Sequence, residues 1–117
     1  MTDKARRKEL TEQYRQTIPE AGVYVIRNAG SGKALLGSTV NLASLRNRVD
    51  FAQTTNLPGA LDGRMAPDIA KFGLDALSVE VLETLEVTPE KTDRQVRDDL
   101  ATLESLWREK LGPSTLY

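Results

Sequence analysis

The sequence predicts an α+β domain in which a three-stranded sheet, mixed or antiparallel, is covered by helices. Two short runs, 22–27 and 33–38, flank a segment rich in Gly, Asn and Ser, and this arrangement predicts a β-hairpin. A third run, 76–85, contains alternating apolar residues and predicts another strand. Apolar residues at helical spacing before, between and after these runs predict the covering helices.

The first 20 residues are predicted to form an extra N-terminal helix, and residues 21–117 the domain itself. Apolar side chains recur at helical spacing over residues 3–17, and a proline then ends the helix: Leu10, Tyr14, Ile18, Pro19. The run 22–27 that follows is rich in β-branched residues and contains a tyrosine, as the first strand of the hairpin should be.

The remaining elements follow from end signals in the sequence. Asn41 is predicted to cap a helix whose buried stripe is Leu42, Leu45, Val49 and Ala52. Residues 54–63 have the composition of a loop, and 67–72 that of a short helix with Gly73 after its end. Thr92 and Gln95 predict a capping box for the longest helix, 93–111, which Gly112 and Pro113 end.

Composition limits the chemistry that the chain can perform. The 117 residues suffice for one domain, and they include no cysteine and no histidine. Disulfides, zinc-thiolate sites and Ser-His or Cys-His nucleophiles are therefore excluded. Proton transfer must fall to Tyr, Lys, Asp or Glu, and any metal must take oxygen ligands, which suit Mg²⁺ or Mn²⁺.

The sequence also lacks the usual signals for membranes and export. No apolar run approaches the roughly 18 residues needed to span a bilayer. Residues 1–8 are rich in charge and no apolar h-region follows them, so they do not form a secretory signal. We therefore expect no membrane partner and a cytoplasmic location.

Three short motifs resemble those of the GIY-YIG nuclease superfamily, in particular a divergent stand-alone bacterial member. Gly22-Val23-Tyr24 opens the first strand where the family has Gly-Ile-Tyr, and Leu35-Leu36-Gly37 closes the second where it has Tyr-Ile-Gly. On the last helix, Leu103-Glu104-Ser105-Leu106-Trp107 stands where the family carries a metal-binding glutamate. The resemblance runs from Ala21 to about Pro113.

The resemblance implies a metal-dependent endonuclease that hydrolyses DNA phosphodiester bonds. Tyr24 would orient or deprotonate the attacking water, Glu104 would hold Mg²⁺ or Mn²⁺, and Arg46 or Arg48 would steady the phosphate. The expected site is a concave surface that brings Tyr24, Gly37 and Glu104 together. For Glu104 the alternative is an ordinary helix glutamate paired with Arg97 or Arg108.

The turn after the second strand is a further candidate for phosphate binding. Gly37 and Ser38 lead to Asn41 at the start of a helix, where free backbone N–H groups can hold a phosphate. The alternative is a plain strand-to-helix turn in which Asn41 is only a cap.

Two departures from the family pattern predict slow or absent cleavage. Leu35 stands where the family has its second tyrosine, and Leu45, on the predicted core stripe, stands where it has its arginine. Two other functions stay open: a nucleic-acid-binding domain without catalysis, which needs no cofactor, and a protein-interaction domain. The sequence does not define the oligomeric state.

The distribution of charge defines a candidate face for nucleic acid. Residues 22–49 include four basic side chains and no acidic one, whereas residues 74–104 include nine acidic and three basic. If DNA binds, the contact face should include Arg27, Lys33, Arg46 and Arg48. The net charge of −1 points instead to a protein partner, and both charged regions are also compatible with ordinary solvated surfaces.

Overall fold

The structure is a computed structural model that describes residues 20–117, and it is an α+β fold as the sequence predicts. The predicted helix over residues 3–17 lies outside the described residues. The helices and strands are, in chain order, β1 (Ala21–Asn28), β2 (Ala34–Thr39), α1 (Leu42–Thr55), α2 (Ala66–Phe72), β3 (Leu77–Leu85) and α3 (Asp93–Leu111). Single 3₁₀ turns at Pro58–Ala60, Gly63–Met65, Leu74–Ala76 and Pro113–Thr115 connect or follow them.

The sheet has the strand order β2-β1-β3, and both neighbouring pairs are antiparallel. Of the two sheet types that the sequence left open, the antiparallel one is therefore the one found. Strand β1 lies in the centre, because it pairs with β2 through the hairpin and with β3 on its other side. Strands β2 and β3 are consequently the two edges of the sheet.

Helices cover both faces of the sheet, and strand alternation divides the core between them. The face under α1, here called the α1 face, carries the larger cluster of buried side chains: Ile26, Leu35, Leu45, Val49, Ala52, Met65, Leu74 and Leu77. The opposite face, here called the α3 face, buries Val23, Val25, Ala34 and Leu36, against which Leu103, Trp107 and Leu111 of α3 pack.

The end signals of the helices act as the sequence predicts. The Asn41 side-chain oxygen accepts from the Ser44 backbone N–H at 2.9 Å and caps α1. Thr92 and Gln95 form both hydrogen bonds of a capping box at the start of α3, at 3.2 and 2.9 Å. Gly73 and Gly112 end α2 and α3 with positive φ angles, which glycine adopts without steric cost.

Strand β1 contains a β-bulge and a closely packed glycine beside Leu42, the first residue of α1. The register between β1 and β3 shifts at Val23 and Tyr24. A Cβ atom on Gly22 would collide with the Glu83 carbonyl oxygen and would crowd the Leu42 side chain. The first glycine of the sequence motif is therefore needed for close packing of β3 and α1 around β1.

At the end of the sheet away from Gly22, the hairpin turn and residues 116–117 form stabilising hydrogen bonds. Asn28 is buried, with 1% of its surface exposed, and its side-chain oxygen accepts from the N–H groups of Gly30 and Ser31. Leu116 bridges to Ala34 of β2 in parallel orientation, and the Tyr117 N–H donates to the Ala34 carbonyl at 3.0 Å. The edge of β2 is thus partly covered at its beginning.

No helix within residues 20–117 is both long enough and apolar enough to cross a membrane.

The core position of Leu45 supplies a test of the fold. Leu45 is 5% exposed, whereas the next residue, Arg46, is exposed. We expect Leu45→Ala to lower the free energy of unfolding by about 2–5 kcal/mol, because it removes buried methyl groups and leaves a cavity. Arg46→Ala should change it by no more than about 0.5 kcal/mol. Urea unfolding of both variants measures the difference, and similar values for the two would contradict the placement of α1.

Candidate functional site

The centre of the candidate site is a contact between Tyr24 and Gly37, which face each other across β1 and β2. The end of the tyrosine ring lies over the glycine: a Cβ atom on Gly37 would stand 2.6 Å from the Tyr24 hydroxyl oxygen and 2.7 Å from Cζ. Real side chains do not approach so closely, so any larger residue at position 37 would displace the ring. Glycine at this position therefore determines where the Tyr24 hydroxyl lies.

The Tyr24 ring crosses from the core to the margin of the sheet. Its apolar part packs against the buried cluster of the α1 face, in which Leu35 and Leu45 are members. Its hydroxyl end lies over Gly37, which belongs to the edge strand β2. A partly buried phenol therefore lies at this edge, beyond the stretch that Leu116 and Tyr117 cover within the described residues 20–117.

Four charged side chains act on the Tyr24 hydroxyl. Burial raises the pKa of Tyr24 above its ordinary value of 10.0; the Arg48 guanidinium opposes this, and the Glu104 carboxylate adds to it. The Asp62 carboxylate also raises the pKa of Tyr24 and the Arg64 guanidinium lowers it, both by less than Arg48 and Glu104 do. The hydroxyl consequently stays protonated at neutral pH and is available as a hydrogen-bond donor.

Glu104 acts on this hydroxyl through its charge, from a helix on the other face of the sheet. Helix α3 packs on the α3 face, yet the Glu104 charge raises the pKa of both Tyr24 and Arg64. The Glu104 charge therefore acts on both groups, although its helix packs on the face of the sheet opposite the Tyr24 ring. Of the two arginines predicted as alternative partners, Arg108 lies 3.4 Å away at the i+4 position. This pair is long and partly exposed, so it holds the carboxylate weakly.

We call the group formed by Tyr24, Gly37, Arg48, Asp62, Arg64 and Glu104 the Tyr24 site. Sequence motifs indicated Tyr24, Gly37, Arg48 and Glu104. Asp62 and Arg64 were missed, because they lie in a segment whose glycines and proline predict only a loop. No local pattern marks this loop as part of the site, since tertiary packing alone brings it beside β1.

Arg46 lies away from the Tyr24 site. It lines a groove of about 280 Å³ between α1 and β3, together with Asp50 and Gln53 of the helix and Ser78 of the strand. Strand β3 lies on the opposite side of β1 from Gly37. Of the two arginines that the sequence offered for the phosphate, Arg48 is thus the one whose charge acts on Tyr24.

The structure does not gather the predicted basic face. Arg27 follows Val23 and Val25 by strand alternation onto the α3 face, where its side chain pairs with Glu80. Lys33 belongs to the hairpin turn at the other end of the sheet, and its ammonium lies 5.9 Å from the centre of the Tyr117 ring. Only Arg48, of the four predicted cations, acts on the Tyr24 hydroxyl.

The turn after β2 is engaged in capping. The Asn41 side chain holds a helix N–H, and the Asn41 backbone N–H donates to the Thr39 hydroxyl at 3.1 Å. Ser38 is partly buried next to Gly37. The geometry thus contains the local bonds of a strand-to-helix turn, and phosphate binding at Ser38 and Asn41 stays a prediction.

A metal at this site would have few protein ligands. Within residues 20–117 there is no group of three or more Asp or Glu side chains arranged to hold an ion. Glu104 is therefore a single-carboxylate candidate. That suits Mg²⁺ or Mn²⁺, since Mg²⁺ keeps several waters and is commonly held by one or two carboxylates plus substrate phosphate.

No protein-family model, curated protein or solved structure matches this chain significantly. The resemblance carried by the Gly-Val-Tyr, Leu-Leu-Gly and Leu-Glu motifs therefore stays a prediction.

Titration of Tyr24 tests the electrostatics of the site. We expect its pKa to lie above 10.0 in the folded protein, because burial favours the neutral phenol. Glu104→Gln should lower that pKa, since it removes a negative charge, and Arg48→Gln should raise it. NMR of ¹³Cζ-labelled tyrosine measures the three values, and Tyr24→Phe identifies the signal. A Tyr24 pKa that is the same in Glu104→Gln, in Arg48→Gln and in the unmodified protein would contradict this arrangement of charges.

The Tyr24–Gly37 contact can be tested separately. In Gly37→Ala the new methyl group must push the tyrosine ring aside, so the Tyr24 ring resonances should shift. The matched control is Gly59→Ala, because a Cβ atom there meets no atom within 4 Å. Unchanged Tyr24 resonances in Gly37→Ala would show that the tyrosine ring does not lie over residue 37 in solution.

Proposed function

We propose that this chain is a GIY-YIG-like endonuclease domain that binds DNA at the Tyr24 site and hydrolyses its phosphodiester bonds slowly, with a divalent metal. The observation that carries the proposal is the position of the Tyr24 hydroxyl over Gly37, together with the Arg48 and Glu104 charges that both act on its pKa. These are the three group types that metal-assisted phosphodiester hydrolysis uses: a group on the water, a cation on the phosphate and a carboxylate on the metal.

The element order and the motif positions give further support. The tyrosine lies on the first strand, the glycine closes the second, and the glutamate lies on the last helix. The contact between Tyr24 and Gly37 gives the two halves of the sequence motif a shared physical purpose, since the glycine leaves room for the tyrosine. The cytoplasm is the proposed location.

The role proposed for each side chain follows from its protonation state and its charge. Hydrolysis forms a bond between a water oxygen and phosphorus, breaks a phosphorus–sugar oxygen bond, and leaves a proton on the departing sugar oxygen. Tyr24 is a poor base at neutral pH, because its pKa is raised, so we assign it to orienting the water or a phosphate oxygen by donating a hydrogen bond. Arg48 would offset the negative charge of the phosphate.

Glu104 would hold the Mg²⁺ or Mn²⁺. When bound, the metal would neutralise charge that develops on the phosphate oxygens. To bind the metal, the Glu104 carboxylate must turn away from Arg108. Because that ion pair is 3.4 Å long and partly exposed, breaking it costs little free energy.

Two buried leucines are the reason to expect slow cleavage. Leu35 and Leu45 both belong to the core cluster of the α1 face, so neither position offers a polar group to the reaction. By analogy with the loss of one oxyanion donor, a missing arginine costs about 3–4 kcal/mol, or roughly 10²–10³-fold in rate. A DNA-binding domain without catalysis is the second candidate, favoured by the pairing of Glu104 with Arg108.

A cleavage assay tests the catalytic half of the proposal. The protein is incubated with supercoiled, linear, branched and single-stranded DNA in Mn²⁺ or Mg²⁺. We expect slow cleavage that Glu104→Ala abolishes and Glu109→Ala preserves, because Glu109 is an exposed carboxylate on the same helix. Cleavage that survives Glu104→Ala would contradict the proposal. Binding without any cleavage would support the non-catalytic candidate, and the absence of both would favour a protein partner.

A second measurement compares the two arginines of α1. We expect DNA affinity to fall with salt at a slope of about −0.9 per phosphate contact on duplex DNA. Arg48→Gln should weaken binding and reduce the slope by about that amount, whereas Arg46→Gln should leave both unchanged, since Arg46 lines the groove against β3. The reverse result would mean that the phosphate lies over β3 rather than at the Tyr24 site.

A further inference from the structure

The turn that carries Asp62 and Arg64 is fixed beside Tyr24 by two apolar side chains. Met65 is completely buried and belongs to the core cluster of the α1 face, and Leu61 packs against the same cluster. The Tyr24 ring packs there too. The three residues between Leu61 and Met65 are therefore held over the core next to the tyrosine, although this segment has little regular structure.

Asp62 sets the direction of the Arg64 side chain. The Asp62 carboxylate accepts from the Arg64 backbone N–H at 2.9 Å, from Nε at 3.0 Å and from Nη2 at 2.9 Å. The two side-chain bonds form a fork that restrains the guanidinium plane. Because these bonds use two of its five N–H donors, three remain for a ligand, and the side chain is 57% exposed.

A phosphodiester at the Tyr24 site would call for more guanidinium donors than Arg48 alone offers. Glu104 adds a negative charge that acts on Tyr24, and Leu45 supplies no charge from the core. Arg48 balances one negative charge, and Arg64, whose own charge Asp62 offsets, adds free N–H donors. Arg64 adjoins Met65, which is buried in the cluster against which the Tyr24 ring packs. The Arg64 charge lowers the pKa of Tyr24, and the Glu104 charge raises the pKa of Arg64.

We infer that Arg64, held by Asp62, is a phosphate-binding residue of the Tyr24 site and acts together with Arg48 on one phosphodiester. The inference rests on the proposed function for the identity of its ligand. It means that a loop residue supplies guanidinium N–H donors which the core leucine at position 45 cannot. Because the arginine fork is already restrained, less side-chain entropy is lost when the phosphate binds.

DNA binding provides the first arm of the test. The unmodified chain, Arg64→Gln, Arg64→Lys and Arg94→Gln are titrated with fluorescent duplex and single-stranded DNA, without divalent metal, over a range of salt. We expect Arg64→Gln to weaken binding roughly tenfold and to reduce the duplex salt slope by about 0.9. Arg64→Lys should fall between, because it keeps the charge and loses the fork. Arg94, an exposed arginine of α3, should have no effect.

Thermal unfolding of each variant shows whether it is folded, and little change is expected because Arg64 is exposed. Arg64→Gln that binds DNA as tightly as the unmodified chain, while Arg48→Gln binds more weakly, would overturn the inference and leave the proposed function intact.

A second arm separates the inference from the proposed function. Dimethyl phosphate is titrated into the ¹⁵N-labelled chain, and the arginine Nε–Hε signals are followed by NMR. We expect the Arg64 and Arg48 signals to shift together and the Arg94 signal to stay, with the Arg64 signal identified by its loss in Arg64→Gln. If DNA does not bind but these signals shift, the proposed function is wrong and the phosphate-binding role of Arg64 stands. If neither occurs, both are wrong.

Discussion

The contact between Tyr24 and Gly37 is the constraint on which the candidate site depends. It follows from the register of the β1–β2 hairpin, which places the two residues opposite each other and on the same face. A shift of one residue would turn the tyrosine to the α3 face and would move Val23 and Val25 to the α1 face, so that both buried clusters would lose their packing. The buried residues of both faces therefore hold the phenol in place, because they specify the register.

Most of the fold was predictable because its signals are local. The alternation in β3, the stripe of α1 and the Thr92–Gln95 capping box each lie within a few consecutive residues, and the structure confirms them. Two features were not predictable in the same way. The antiparallel order β2-β1-β3 depends on contacts between distant segments, and the bulge beside Tyr24 leaves no mark in composition.

The site was predictable only in part, for the same physical reason. Motif spacing identified Tyr24 and Gly37, whose relation is set by one hairpin. It assigned the catalytic role to Arg46 and a phosphate contact to Arg48. The sequence does not show toward which strand each side of α1 turns, and the structure places Arg46 beside β3. It gave no indication of Asp62 or Arg64, which reach the tyrosine because Met65 anchors their turn in the core.

The partly covered edge of β2 has a consequence for association between chains. An exposed edge strand offers unpaired backbone groups to which another strand can add. Here Leu116 and Tyr117 pair at Ala34, so this end of the edge is already engaged. At the other end, the Tyr24 ring lies over Gly37, and the charges of Arg48 and Glu104 act on its hydroxyl. Charged side chains near an edge strand disfavour the addition of another strand, so we expect variants that neutralise Arg48 and Glu104 to associate more readily.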